Sequence, residues 1–200
     1  MYRAYFSPFP KLDTGRLLLR RMEKWDLQDL YACYSEPAAS RYAAWKPHPD
    51  LYYTKSYMQY VMRGYARQES MVFCIELKEQ HRVIGTCSFT EMDEAYKIAE
   101  IGYTLSPAYW RCGYGTEAVA ALVRFGFETI GLYRISARVM AENQASARLL
   151  QRLGFRQEGY LADGIYCKGA PRDLCLFGLL QSEYRSRKEH GENQELSSQS

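Results

Sequence analysis

Glu100-Ile-Gly-Tyr-Thr-Leu-Ser-Pro-Ala-Tyr-Trp-Arg-Cys-Gly-Tyr-Gly-Thr116 is the stretch on which the fold of this chain turns. From Lys97 to Leu105 the residues alternate: Ala99, Ile101, Tyr103 and Leu105 on one side, Ile98, Glu100, Gly102 and Thr104 on the other. That period of two predicts a strand, which Ser106-Pro107 stops. The loop Arg111-Cys112-Gly113-Tyr114-Gly115-Thr116 follows. After it, Glu117 to Ile130 carries Ala118, Leu122 and Phe125 on one stripe and Val119, Val123 and Ile130 on the next, a helix with a wide buried face. The unit is therefore strand, glycine-bearing loop, helix. A helix N-terminus presents unpaired backbone N–H groups and a partial positive charge. Glycines ahead of it remove the Cβ atoms that would hold an anion away. The combination suits phosphate, and Arg111 adds a formal charge. Neither Gly-x-x-x-x-Gly-Lys-Ser/Thr nor Gly-x-Gly-x-x-Gly is present, so the two nucleotide-loop patterns are excluded.

Outward from that unit, Thr14–Met22 and Arg82–Met92 alternate as strands, Met71–Leu77 reads as a strand apolar on both faces, and Lys78–His81 reads as the turn of an antiparallel pair. Tyr133–Met140 follows the crossover helix and is expected to lie parallel to the strand ending at Leu105. Phe155–Leu161 and Asp173–Gln181 are the last predicted strands. Asp26–Ser35, a short segment near Ala38–Ala44, Thr54–Gln68 with Thr54 as its cap, and a segment opened by Asn143 read as helices. Trp45–Tyr53, with Pro47 and Pro49, reads as a loop.

The 200 residues most simply make one domain, and 47% are hydrophobic, including three Trp, eight Phe and eighteen Tyr, enough for a substantial core. The formal net charge of +3 provides no basic stripe for nucleic acid. Cys33, Cys74, Cys87, Cys112, Cys167 and Cys175 never fall at Cys-x-x-Cys spacing and His48, His81 and His190 are scattered, so no metal site is expected. No apolar run reaches the ~18 residues of a membrane span. Reduced thiols and the lack of a leader-like start suggest a cytoplasmic protein with no membrane partner.

The loop resembles the acyl-CoA loop of the GNAT N-acetyltransferase superfamily, Gln/Arg-x-x-Gly-x-Gly/Ala, with Trp110 at its first position. It is most similar to the Rim-type ribosomal-protein branch, Tyr-Trp-Gly-x-Gly-Tyr-Ala-Thr-Glu-Ala, which Tyr109, Trp110, Gly113, Tyr114, Thr116, Glu117 and Ala118 match and from which Arg111 departs. Two further segments carry the resemblance: the Thr14-x-Arg-Leu-x-Leu-Arg20 opening, and Asn143-x-x-Ser146-x-Arg148-Leu-Leu150-x-x-Leu153-Gly-Phe155.

The resemblance implies an α/β GNAT fold over residues 1–184. The sheet would be mixed and seven-stranded, with helices on both faces and a splay between the strands ending at Leu105 and Met140. Residues 1–11 would be an arm on the domain, and 185–200 a disordered tail. It implies acetyl-CoA as co-substrate, held by Tyr103, Thr104, Leu105, Arg111, Cys112, Gly113, Tyr114, Gly115, Thr116, Asn143 and Ser146. It implies acetyl transfer to a primary amine, a protein N-terminus or a small molecule, by a monomer or homodimer. A non-catalytic acyl-CoA sensor is the alternative class.

Among single residues, Asn143 also reads as a helix N-cap. Ser146 lies on the apolar stripe of its helix, where a hydroxyl needs a partner. By resemblance it donates a proton to the departing thiolate. Many relatives use a Tyr four residues before the Gly; that position here is Leu150, so Ser146 inherits the role. Glu100 shares a strand face with Gly102 and Thr104 and is the candidate base, or else a salt-bridged strand carboxylate. Cys112 has no nearby His in sequence to activate it as a nucleophile. Trp45 and Tyr53 belong to the aromatic-rich segment before the glycine loop and are the candidate acceptor contacts.

Overall fold

The structure is a computed structural model that describes residues 2–198, with side chains through residue 190. Its sheet has eight strands: β1 (Leu12–Asp13), β2 (Leu17–Arg20), β3 (Met71–Leu77), β4 (Arg82–Asp93), β5 (Ile98–Leu105), β6 (Arg134–Met140), β7 (Arg156–Cys167) and β8 (Ala170–Leu180). They lie in the order β1-β2-β3-β4-β5-β6-β8-β7. All neighbours are antiparallel except β5 and β6, which are parallel, as the crossover requires. The eighth strand, beyond the seven expected, is the two-residue β1, whose Leu12 and Asp13 pair with Leu19 and Leu18.

The helices are α1 (Leu27–Tyr34), α2 (Pro37–Ser40), α3 (Leu51–Arg67), α4 (Tyr114–Arg124), α5 (Gln144–Arg152) and α6 (Gln181–Ser198). The long amphipathic segment after the glycine loop is α4 followed by a π-helical turn, Phe125–Ile130, which Gly131 ends in the left-handed conformation (φ 77°). Gly126 in that turn lets it sit on the sheet: a Cβ there would lie 2.9 Å from Ile135 Cδ1 and 3.0 Å from Phe89 Cζ.

Strand periodicity assigns the two faces. Phe73, Phe89, Ile101 and Ile135 point toward α4 and its π turn, and Phe73 meets Phe125 edge-on with ring centroids 6.1 Å apart. Burying each such side chain contributes about 1.5–3 kcal/mol. On the opposite face Cys74, Thr86 and Thr104 are aligned across β3, β4 and β5, and Tyr34 of α1 hydrogen bonds Thr86 at 2.7 Å.

Three expectations need correction. Helix α3 starts at Leu51, not Thr54: Asp50 is its cap, accepting the Tyr53 N–H at 2.7 Å. The last two strands are longer than expected and form one hairpin, because a register shift between Leu161 and Ile165 absorbs the glycine-bearing segment that reads as a loop. The segment 185–200 was expected to be disordered, but the chain is helical as far as Ser198. Two of its charges have partners: Lys188 pairs with Glu128 at 3.0 Å and Arg187 donates to Arg152 O at 3.2 Å; just before them Tyr184 lies tilted against Phe127 and donates to Glu128 at 2.7 Å. Residues 199–200 lie outside the described residues. At the N-terminus Tyr2 and Phe6 are buried, and Phe9 packs against Tyr65 and Phe73.

Candidate active site

β5 and β6 pair only from Ile98–Arg134 to Glu100–Ser136. Beyond that point both strands continue, to Leu105 and Met140, without pairing. This is the splay. It leaves the β6-facing backbone groups of residues 102–105 without a strand partner while β4 still holds the other edge. Tyr103 and Thr104 point to opposite faces of β5, yet both line the same cleft of about 850 Å³. The cleft therefore meets the splay along β5, and α1 and α3 supply its far walls.

The glycine loop lies at the end of β5. Trp110 Nε1 donates to Leu105 O at 2.8 Å, which ties the loop to the strand end. Arg111 (φ 61°) and Gly113 (φ 82°) are both left-handed, and they turn the chain into α4 with Gly113 at the N-cap. Among the described residues, the backbone N–H groups of Arg111 through Thr116 have no acceptor. Six free donors at a helix N-terminus form a fitting cradle for the phosphates of a CoA thioester.

One residue from β2's leading edge clasps this loop. Arg16 donates through Nη1 to Cys112 O at 3.0 Å and through Nε to Glu117 at 2.7 Å, and its guanidinium lies 4.4 Å from the Tyr114 ring centroid. Glu117 also accepts the Arg16 N–H at 2.8 Å and the Thr14 hydroxyl at 2.6 Å. Burial alone would favour its neutral form, but these donors outweigh it and hold its carboxyl below the ordinary value. Thus the Thr14-x-Arg16 opening and Glu117, two separate parts of the motif resemblance, make one interaction. Cys112 is exposed, and its thiol donates to Trp110 O.

At the start of α5, Asn143 caps the helix by accepting the Ser146 N–H at 3.2 Å. The Ser146 hydroxyl is partnered by the Tyr103 hydroxyl at 2.7 Å, not by backbone. Burial raises the Tyr103 phenol to about 12, with the Ser146 bond acting the other way, so Tyr103 is protonated at neutral pH. Leu150 is fully buried.

Glu100 lies in the cleft wall and is paired: Arg138 Nε is 2.8 Å from its carboxylate, and Arg138 Nη2 reaches Glu91 at 3.1 Å. Burial raises the Glu100 carboxyl, and Arg138 opposes that shift. Because Arg138 sits on β6 beyond the last paired residue, this ion pair bridges the opening.

The far end of the cleft is aromatic. Trp45 lies 4.9 Å from Tyr34, and Tyr53 lies 4.9 Å from the buried His48, centroid to centroid. His48, Tyr34, Tyr57 and Arg138 line the cleft although sequence patterning did not single them out. For His48 the available signal was weak: a lone His between two prolines, two residues before Asp50 and six before Thr54. No group of three or more His, Cys, Asp or Glu side chains is arranged to hold a metal ion among the described residues.

Residues 16–156 match the family model described as an acetyltransferase (GNAT) domain. The chain belongs to the GNAT acetyltransferase family. It is 33% identical to the N-acetyltransferase YoaA of Bacillus subtilis over 86% of its own length and 98% of the relative's. It is 26% identical to the [ribosomal protein uS5]-alanine N-acetyltransferase of Escherichia coli, over 90% and 97% of the two chains. It is 23% identical to the spermidine N(1)-acetyltransferase of Vibrio cholerae, over 88% and 99%. The crystal structure of a GNAT-family acetyltransferase from Bacillus anthracis superposes with a TM-score of 0.79 at 25% identity, covering 87% of this chain and all of that one. This GNAT chain is accordingly an acetyl-CoA-dependent N-acyltransferase, and the expected α/β GNAT fold holds, with eight strands in place of seven. No helix among the described residues is long and apolar enough to cross a membrane.

Proposed function

We propose that this GNAT enzyme acetylates a peptide N-terminal amine, with acetyl-CoA bound across the glycine loop and the splay. The free N–H groups of residues 111–116 would hold the pyrophosphate, the exposed β5 edge at Tyr103, Thr104 and Leu105 the pantetheine arm, and Asn143 its amide-bearing middle. Ser146 would protonate the leaving thiolate. In this reading Tyr103, protonated at neutral pH, donates to the Ser146 oxygen, and the Ser146 proton goes to sulfur.

The single observation that carries the choice of acceptor is the charge of the cleft. Among its lining residues the only carboxylate is Glu100, and Arg138 neutralises it. A polyamine carries several ammonium groups and would enter a wall with no unpaired anion to receive them. A peptide needs one amine position and a surface for its side chains, which Trp45, Tyr53 and Tyr57 offer. The relative that acetylates ribosomal protein uS5 supports this reading, and the spermidine-acetylating relative supports the alternative of a small polyamine. Steady-state thiol release with a peptide and spermidine side by side tests it.

A further inference from the structure

We infer that His48 accepts the proton shed by the acceptor amine, and that Glu100 does not. This rests on the acetyl-transfer reading above.

The His48 ring is held in one orientation. Its backbone N–H donates to Tyr34 O at 3.0 Å, and its ring stacks on Tyr34 at 4.9 Å with planes 13° apart. Trp45, Tyr53 and Tyr57 surround it at 5.9, 4.9 and 5.7 Å. Nδ1 lies 2.9 Å from Thr54 Oγ1. The Thr54 hydroxyl has one proton and an acceptor in Asp50 O at 3.4 Å; giving it there lets the Thr54 oxygen accept from Nδ1. In that tautomer the proton is on Nδ1 and the lone pair on Nε2. Nε2 has no hydrogen bond among the described residues. Every fully enclosed side-chain nitrogen or oxygen among them does have one, so Nε2 is not fully enclosed, and His48 lines the cleft.

Glu100 is the poorer acceptor on the same wall. Its carboxylate is engaged by Arg138, and protonating it would break a pair that bridges the splay. His48 is uncharged and has no such partner. The groups facing it are Tyr34 from α1, Tyr53 and Tyr57 from α3, and Trp45 from its own loop, while the Glu100–Arg138 pair lies across the cleft. The neighbouring Lys46 and Asp50 are exposed. Burial lowers the proton affinity of His48, so the free base is the form at neutral pH.

The step balances as follows. The amine lone pair forms the C–N bond to the thioester carbonyl carbon, and the C–S bond breaks. Sulfur takes a proton from Ser146, and the nitrogen proton passes to His48 Nε2. Solvent exchange then returns His48 and Ser146 to their starting states. A weak base suffices, because the nitrogen becomes strongly acidic as the C–N bond forms.

The test compares His48→Gln and Glu100→Gln by the pH dependence of kcat/KM for the amine. Wild type should lose activity in acid with an apparent pKa below 6.5. His48→Gln should lower kcat/KM for the amine by about 10²-fold or more, leave the KM for acetyl-CoA unchanged, and abolish that acid limb, while Glu100→Gln retains it. A His48→Gln enzyme within twofold of wild type with the limb intact overturns the inference, as does loss of the limb in Glu100→Gln alone. Nitrogen NMR of the wild-type imidazole gives a check independent of any variant's folding: a proton on Nδ1 at pH 7 agrees, and one on Nε2 overturns the inference. Wild type that releases no thiol with any amine overturns the acetyl-transfer reading and this inference together. That result is distinct from an active enzyme indifferent to His48.

Discussion

The hydroxyls of Tyr103 and Ser146 are 2.7 Å apart, a bond that joins β5 to the first turn of α5 where β5 has left β6. If Ser146 is the proton donor to the thiolate, Ser146→Ala lowers kcat by about 10²–10⁴-fold with little change in affinity for acetyl-CoA. Tyr103→Phe removes only the hydrogen bond that orients Ser146, worth about 1 kcal/mol, so a drop of roughly fivefold is expected. Steady-state kinetics of both variants checks this. A Ser146→Ala enzyme within twofold of wild type would reduce Ser146 to a structural hydroxyl.

The glycine loop makes a second prediction. Gly115 adopts an ordinary backbone conformation, and a Cβ there meets only Leu149 Cδ1, at 3.3 Å. Gly115→Val is therefore expected to fold while its branched side chain crowds the free N–H groups. Gly113→Val combines the same crowding with strain at φ 82° and is expected to lower the melting temperature as well. Calorimetric titration with CoA should show affinity lost in both. Unchanged affinity in both would exclude phosphate binding at this loop.

The Arg16–Glu117 clasp predicts a pH-dependent contribution to stability. The folded Glu117 carboxyl lies below the ordinary value of 4.5. Its contribution is therefore fully present above pH 4.5 and is lost as pH falls through the folded value. Glu117→Gln is expected to cost about 1 kcal/mol at pH 7, a modest figure because Arg16 is half exposed. Thermal melts of wild type and variant should differ at pH 7 and converge in acid.

The aromatic end of the cleft predicts a separation of kinetic constants. Trp45→Ala and Tyr53→Ala should raise the KM for the amine several-fold and leave that for acetyl-CoA unchanged. Trp45 also packs on Tyr34, so its variant is expected to lose some thermal stability. Tyr53 is more than half exposed, so its variant is expected to keep more of its thermal stability.

Much of this was legible in the chain. Met71–Leu77, apolar on both faces, is a strand over those residues, and the loop-to-helix unit occurs where the glycines indicate. Periodicity is a local signal, and local signals succeeded there. They failed where the deciding partner is distant in sequence. The charges after Gln181 resemble a solvated tail until Glu128 and the Arg152 carbonyl are seen to receive them. The Gly164-bearing segment resembles a loop because a register shift is invisible without the opposing strand. The same holds in the cleft. Spacing placed Ser146 on an inward stripe but could not name Tyr103 as its partner, 43 residues away. It placed Glu100 correctly but not the Arg138 that pairs with it. It passed over His48, whose chemistry depends on Thr54 and a stack of rings from two helices.

The central claim is that the cleft transfers acetyl to a peptide amine. The most direct measurement is thiol release from acetyl-CoA at neutral pH, comparing kcat/KM for short peptides with uncharged or apolar N-terminal residues against spermidine. The neutralised Glu100–Arg138 wall and its aromatic end predict that the best such peptide exceeds spermidine by at least tenfold. Spermidine outrunning every peptide would contradict that account of the acceptor.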